Sequence, residues 1–127
     1  MKVLLDTNAL IWMAYGDSRI LSVSDLILDH KNKIFISTIS LWEIAIKFRI
    51  GKIDVDTIEI REKYLNEESD FDELPLSSKY LESLLLLQMY HKDPFDHMIL
   101  AQAKYENMTI ITGDKIFKEY LPETILI

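Results

Sequence analysis

The sequence predicts an α/β fold in which a mainly parallel sheet is covered by helices on both faces. Short apolar runs without alternation, such as Val3-Leu4-Leu5 and Met108 to Ile111, have the character of strands buried on both sides. Segments with helical spacing stand between these runs, and strands alternating with helices pair in parallel through crossovers. The runs also end in short oxygen-bearing side chains: Asp6-Thr7-Asn8, then Ser37, then Thr112-Gly113-Asp114. In open α/β sheets the working site lies beyond the carboxyl ends of the strands, which is where these groups are expected to collect.

In chain order, the first strand ends at Asp6, and Ala9, Leu10, Ile11 and Trp12 begin a helical pattern at once. Ser22 to Asp29 reads as a second helix capped by Ser22 or Ser24, and Ile34 to Ser37 as a second strand. Ser40 is expected to open a helix to about Ile50, stopped by Gly51 in the position after the C-cap. Asp56 caps a further helix to about Asn66, and Asp70 to Leu74 reads as an edge strand closed by Pro75. Ser77 starts a leucine-rich helix to about Leu87. Asp93-Pro94 starts the next, to about Glu106, with proline in the first turn where its missing N–H costs nothing. Met108 to Ile111 is a strand, Ile116 to Tyr120 a short helix, and Thr124 to Ile127 a last strand.

A chain of 127 residues with 49% hydrophobic and 28% charged residues is expected to form one domain, residues 1–127. Only 3 Gly and 3 Pro leave no room for long flexible linkers. The absence of cysteine removes disulfides, thiolate metal sites and cysteine nucleophiles, and it fits a reducing, cytoplasmic setting. No secretion signal is expected, and no run approaches the roughly 20 apolar residues a membrane span needs. The net charge of −7 argues against a general nucleic-acid coat, which would be basic. It is compatible with a nuclease whose acids hold a metal, and it favours a basic partner.

Each acid near a strand end has a plain structural reading. Glu43 follows Ser40 by three residues, the spacing of a capping box. Asp93 can cap the helix that begins at Pro94, Asp96 suits its first turn, and Asp114 can cap the short helix behind it. Their arrangement is harder to explain singly, because Asp6, Glu43, Asp96 and Asp114 would all be directed to one sheet edge. Two charges about 5 Å apart repel by roughly 3 kcal/mol at an effective dielectric of ~20. A cluster of that kind is costly unless a cation occupies it or one acid stays protonated. All-oxygen donors without thiols select a hard ion, Mg²⁺ or Mn²⁺.

The segments Leu4-Leu5-Asp6-Thr7-Asn8, Ser40-Leu41-Trp42-Glu43-Ile44-Ala45-Ile46-Lys47, Asp93-Pro94-Phe95-Asp96-His97-Met98-Ile99-Leu100-Ala101-Gln102-Ala103 and Thr112-Gly113-Asp114 occur in that order. Together they resemble the PIN-domain proteins of the VapC toxin family, essentially from end to end. The resemblance implies a PIN-like α/β/α sandwich and a Mg²⁺- or Mn²⁺-dependent endoribonuclease. It further implies the toxin role of a type II toxin–antitoxin pair, a VapB-type antitoxin partner and a homodimer. Carried over by position, the family's four acids fall on Asp6, Glu43, Asp96 and Asp114, as catalytic and metal-holding residues. Asn8 and Thr112 match polar positions beside them. His97 stands where the family usually has arginine, so a contact from a permanent cation is in question there.

Lys47 lies one turn beyond Glu43, as an ion-pair partner or as a cation steering the RNA backbone. With Asn8, His97 and Thr112 it completes the expected substrate-binding set. His30 and His91 read as surface residues. The helix from Ser40 carries two apolar stripes, Leu41/Ile44/Ala45/Phe48 and Trp42/Ile46/Ile50, both expected in the core unless the second serves a dimer or antitoxin contact. Two other readings remain open at this point. One is a PIN-fold module that binds a partner without cutting. The other is a different Mg²⁺-dependent phosphoesterase, although Asn8 stands where a dehalogenase-type phosphatase wants a second aspartate, and no P-loop is present.

Overall fold

A computed structural model describes residues 1–127. Strand β1 (Lys2–Leu5) forms the centre of the sheet because Val3, Leu4 and Leu5 have no polar side chain to leave in water, and all three are fully buried. It pairs in parallel with β2 (Lys33–Ser37) on one side and β4 (Thr109–Thr112) on the other. The edges are β3 (Phe71–Leu74) beside β2 and β5 (Ile125–Leu126) beside β4, which gives an all-parallel sheet ordered β3-β2-β1-β4-β5. The fold is the expected α/β/α sandwich.

The strand period of two divides the core into two layers. Val3, Leu5, Ile34, Ile36 and Ile111 face α1 (Thr7–Tyr15), α3 (Thr38–Arg49) and α4 (Thr57–Tyr64), packing on Leu10, Ile44 and Ile60. Leu4 and Ile110 face the other way, onto Tyr80, Phe117 and the α6 (Pro94–Glu106) residues Ile99, Leu100 and Ala103. Each fully buried aliphatic side chain of this kind contributes roughly 1.5–3 kcal/mol. Every β-to-α junction that matters for the site therefore opens at the carboxyl edge of the sheet.

Several boundaries differ from the sequence reading. Residues 22–29 do not form one helix: a 3-10 segment, Ser18–Val23, precedes a short α2 (Ser24–Leu28). Likewise a 3-10 turn, Ser78–Tyr80, leads into α5 (Leu81–Leu86), with Ser77 as its cap. The largest correction concerns α3. Ser37, not Ser40, is its N-cap and accepts the Ile39 N–H at 3.0 Å, so no capping box joins Ser40 to Glu43. Ser40 is instead fully buried and receives a hydrogen bond from the Thr7 hydroxyl at 3.0 Å. Glu43 consequently lies in the second turn of α3, where capping no longer explains it. The second stripe of α3 is not core either: Trp42 and Ile50 are 57% and 59% exposed, and Ile46 is exposed as well. From the first stripe Leu41 and Ile44 are buried, while Phe48 and Ala45 are not.

Other local signals hold. Asp93 accepts the Phe95 and Asp96 N–H groups at 2.9 and 3.1 Å, with Pro94 at the first helical position of α6. Gly51 follows the α3 C-cap at φ 78°, a left-handed conformation that suits glycine. The short α7 (Phe117–Tyr120) follows β4 as expected.

Candidate active site

Asp6 occupies the N-cap position of α1, yet its side chain makes no cap hydrogen bond. Its backbone N–H extends the sheet ladder to Ile111 O at 2.9 Å, which holds the residue in place. Oδ2 accepts the Thr112 hydroxyl at 2.7 Å, whereas Oδ1 is buried and has no hydrogen-bond partner. The side chain is withdrawn from solvent, with only 1% of the residue exposed. Burial pushes its pKa up to about 7, the Thr112 hydroxyl and the nearby Thr7 backbone N–H oppose the shift, and the charges of Asp96 and Glu43 add to it.

Glu43 reaches the same region from α3. One oxygen pairs with Lys47 Nζ at 3.1 Å; Oε1 is buried without a partner. Asp96, in the first turn of α6, is also pushed up, to about 6, chiefly by burial, with Asp93 and Glu43 adding to the shift and His91 opposing it. His91 Nε2 lies 2.9 Å from Asp96 Oδ2. The expectation that His91 is a surface residue is therefore wrong, because its side chain is only 21% exposed; His30, at 87%, is where expected.

Asp114 is differently employed. Its Oδ1 accepts the Ile116 N–H at 3.1 Å, and its own N–H donates to Thr112 Oγ1 at 3.0 Å. Thr112 thereby links the ends of β1 and β4. The Gly113 between them has no spare room, since a methyl there would overlap the Trp12 ring. Asp6, Glu43 and Asp96 thus influence one another electrostatically while Asp114 caps its own turn. No group of three or more His, Asp or Glu side chains stands at metal-holding separation. Two buried carboxylate oxygens without protein partners, in an all-oxygen donor set, nevertheless fit a hard divalent cation.

The PIN domain family model matches residues 3–120. The chain belongs to the PIN domain family. No curated protein matches the sequence significantly. Among solved structures, a chain of the Rickettsia felis VapBC2 complex bound to a DNA fragment from its promoter is similar, with TM-score 0.75 and 23% identity over 100% of this chain and 98% of that one. A chain of FitAcB from Neisseria gonorrhoeae gives TM-score 0.70 and 18% identity, covering 98% and 96%. One from DNA-bound VapBC of Salmonella typhimurium gives 0.67 and 16%, covering 100% and 97%.

In this PIN domain the remaining expected site residues fall into separate groups. Asn8 is exposed at the start of α1, and Lys47 is engaged by Glu43. His97 is buried, and its Nε2 donates to the His91 carbonyl at 2.7 Å instead of facing the acids. Sequence reasoning missed the polar ties that anchor the site. The Thr7–Ser40 bond joins α1 to α3, and the Ser37 hydroxyl donates to Gln102 Oε1 at 2.6 Å, tying β2 to α6. Gln102 did carry a signal, as a polar residue on the face of α6 that also presents Ile99 and Ala103. No helix is long and apolar enough to cross a membrane.

Proposed function

We propose that this PIN domain is a metal-dependent endoribonuclease, acting in the cytoplasm as the toxin of a type II toxin–antitoxin pair. The observation that carries the reading is the pair of buried, unpartnered oxygens, Asp6 Oδ1 and Glu43 Oε1, beside Asp96 at the carboxyl edge of a parallel sheet. Asp6, Glu43 and Asp96 would hold Mg²⁺ or Mn²⁺, with Asp114 contributing the oxygen not committed to Ile116. The bound ion supplies charge neutralisation at the scissile phosphate and a water of lowered pKa. Thr112 keeps Asp6 oriented, Lys47 moves between Glu43 and the RNA backbone, and Asn8 lies exposed where substrate approaches.

Partners follow from the same reading. A similar Klebsiella pneumoniae structure is of a toxin–antitoxin complex, and the Rickettsia felis and Salmonella typhimurium structures are of VapBC2 and VapBC bound to DNA. A net charge of −7 suits a basic VapB-type antitoxin, and the exposed Trp42 and Ile46 on α3, Ile50 at its C-cap, and Leu85, Leu86 and Met89 around α5 offer apolar surface to that antitoxin and to a second copy of the chain.

The test is cleavage of a structured RNA panel by wild type and Asp96→Asn with Mg²⁺, Mn²⁺ or EDTA. Cuts that need metal and vanish in the variant are expected. One observation favours a second reading, a module that binds without cutting: Glu43, Asp96 and Asp114 each already have a protein partner. Absence of metal-dependent cutting by wild type would decide for that module.

A further inference from the structure

We propose that His91 is a positioning residue that orients the Asp96 carboxylate for the cation, and that Tyr120 fixes the tautomer in which it does so. The inference rests on the metal-centre reading above and adds two residues to it.

His91 lies in the connection between α5 and α6, and the packing leaves its ring little freedom. His97 meets it edge-on at 5.0 Å between centroids, and the tilted rings of Tyr120 and the fully buried Phe117 lie at 5.4 and 6.5 Å. Its backbone is held at both ends. The N–H donates to Tyr120 Oη at 3.1 Å, and the carbonyl accepts His97 Nε2–H at 2.7 Å.

Donor and acceptor chemistry then assigns the protons. An ionised carboxylate can only accept, so the imidazole proton lies on Nε2, 2.9 Å from Asp96 Oδ2. In the neutral ring Nδ1 is therefore an acceptor, and it lies 2.9 Å from Tyr120 Oη. The tyrosine hydroxyl donates to Nδ1 while its oxygen receives the His91 N–H and lies 3.4 Å from His97 Nε2, whose proton goes mainly to the His91 carbonyl, so donors and acceptors pair in a compatible sense. The opposite tautomer would set an acceptor nitrogen against the ionised carboxylate, and Tyr120 would have no ring acceptor.

The consequence lies at Asp96. With Oδ2 committed to His91, its other oxygen makes no protein hydrogen bond and remains for the ion. The α6 backbone and the imidazole together restrict rotation of the carboxylate. Partners that orient metal-holding groups in this way are typically worth about 10–100-fold in affinity. A loop-tethering contact alone would affect stability and leave the affinity of the site unchanged.

The experiment titrates Mn²⁺ into the purified full chain by calorimetry, for wild type, His91→Leu, His91→Gln and Tyr120→Phe, with thermal unfolding in EDTA run alongside. His91→Leu is expected to weaken Mn²⁺ binding by about 10–100-fold while remaining folded. His91→Gln, whose amide can still donate to Asp96, recovers most of the affinity, and Tyr120→Phe falls between. A folded His91→Leu that binds Mn²⁺ as wild type does overturns the proposal. Should that variant not fold, wild-type affinity in Tyr120→Phe overturns it instead. Wild type that binds no Mn²⁺ removes the metal centre itself and this inference with it, an outcome distinct from unchanged binding in the variants.

Discussion

Asp6 and Asp114 look alike in the sequence: each closes an apolar strand, and each precedes a helix at the same sheet edge. The fold uses them differently. Asp114 satisfies the Ile116 N–H, remains partly exposed and behaves as a turn residue. Asp6 stands at an N-cap without capping, keeps one oxygen unpaired and is pushed up to about 7 by burial. A strand-end acid that the backbone satisfies has its structural explanation. One that is buried and left unsatisfied costs the fold free energy and calls for a partner from outside it.

The largest effect should come from Asp6→Asn. Loss of a metal-holding carboxylate is expected to lower RNA cleavage by about 10³-fold, the equivalent of several kcal/mol at the transition state. The same variant tests the burial cost. Folded Asp6 keeps its proton to about pH 7 while the unfolded group releases it near 3.8. The native state thus binds more protons across that window, and stability falls as pH rises through it. Below the window the penalty is absent, and above it the full cost, on the order of a few kcal/mol, is present. Metal-free wild type should therefore melt at a higher temperature at pH 5 than at pH 8, and Asp6→Asn should flatten that slope. An equally steep profile in the variant would place the cost elsewhere.

Thr112 joins the two acids and comes next. Thr112→Val keeps the shape but removes both the donor to Asp6 and the acceptor for the Asp114 N–H. A loss of about 1–3 kcal/mol is expected in urea unfolding at pH 8, where Asp6 is ionised. Because the lost hydroxyl favoured the ionised form, the pH slope should extend to higher pH. Gly113→Ala should cost about 1–3 kcal/mol through overpacking against Trp12, and Trp12→Leu in the same chain should recover much of it. Equal losses in the single and double variants would show that backbone, not the indole, demands glycine there.

These contacts also explain how much was legible beforehand. The start of α6 was, because Asp93-Pro94 signals it within two residues. The start of α3 was not. Ser37, Thr38 and Ser40 are all plausible caps by residue type, and the choice among them is made by Gln102 holding Ser37 and Thr7 holding Ser40 across the fold. The strands followed from apolar runs and their parallel pairing from alternation with helices, whereas the second α3 stripe was misassigned because sequence cannot show that Phe95 packs on the Trp42 ring yet leaves more than half of the residue exposed. The sequence singled out four acids near one sheet edge, but not the differences in what surrounds each of them. Those depend on which backbone N–H each can reach, and in the case of Asp96 on an imidazole in an irregular connection without periodicity.

The smallest expected effect sharpens the comparison most. Asp114→Asn keeps an oxygen for the Ile116 N–H and removes only charge, so stability should change by less than about 0.5 kcal/mol. If the second carboxylate oxygen contributes to the ion, cleavage should still fall by about 10–100-fold, less than for Asp6→Asn. Mn²⁺ titration of the same protein should show a matching loss of affinity. Wild-type cleavage and affinity in Asp114→Asn would reduce the residue to its turn and leave Asp6, Glu43 and Asp96 as the whole of the site. The comparison would then be absolute: two aspartates that follow strands at one sheet edge, one structural and one functional, distinguished by burial and by the groups each side chain meets.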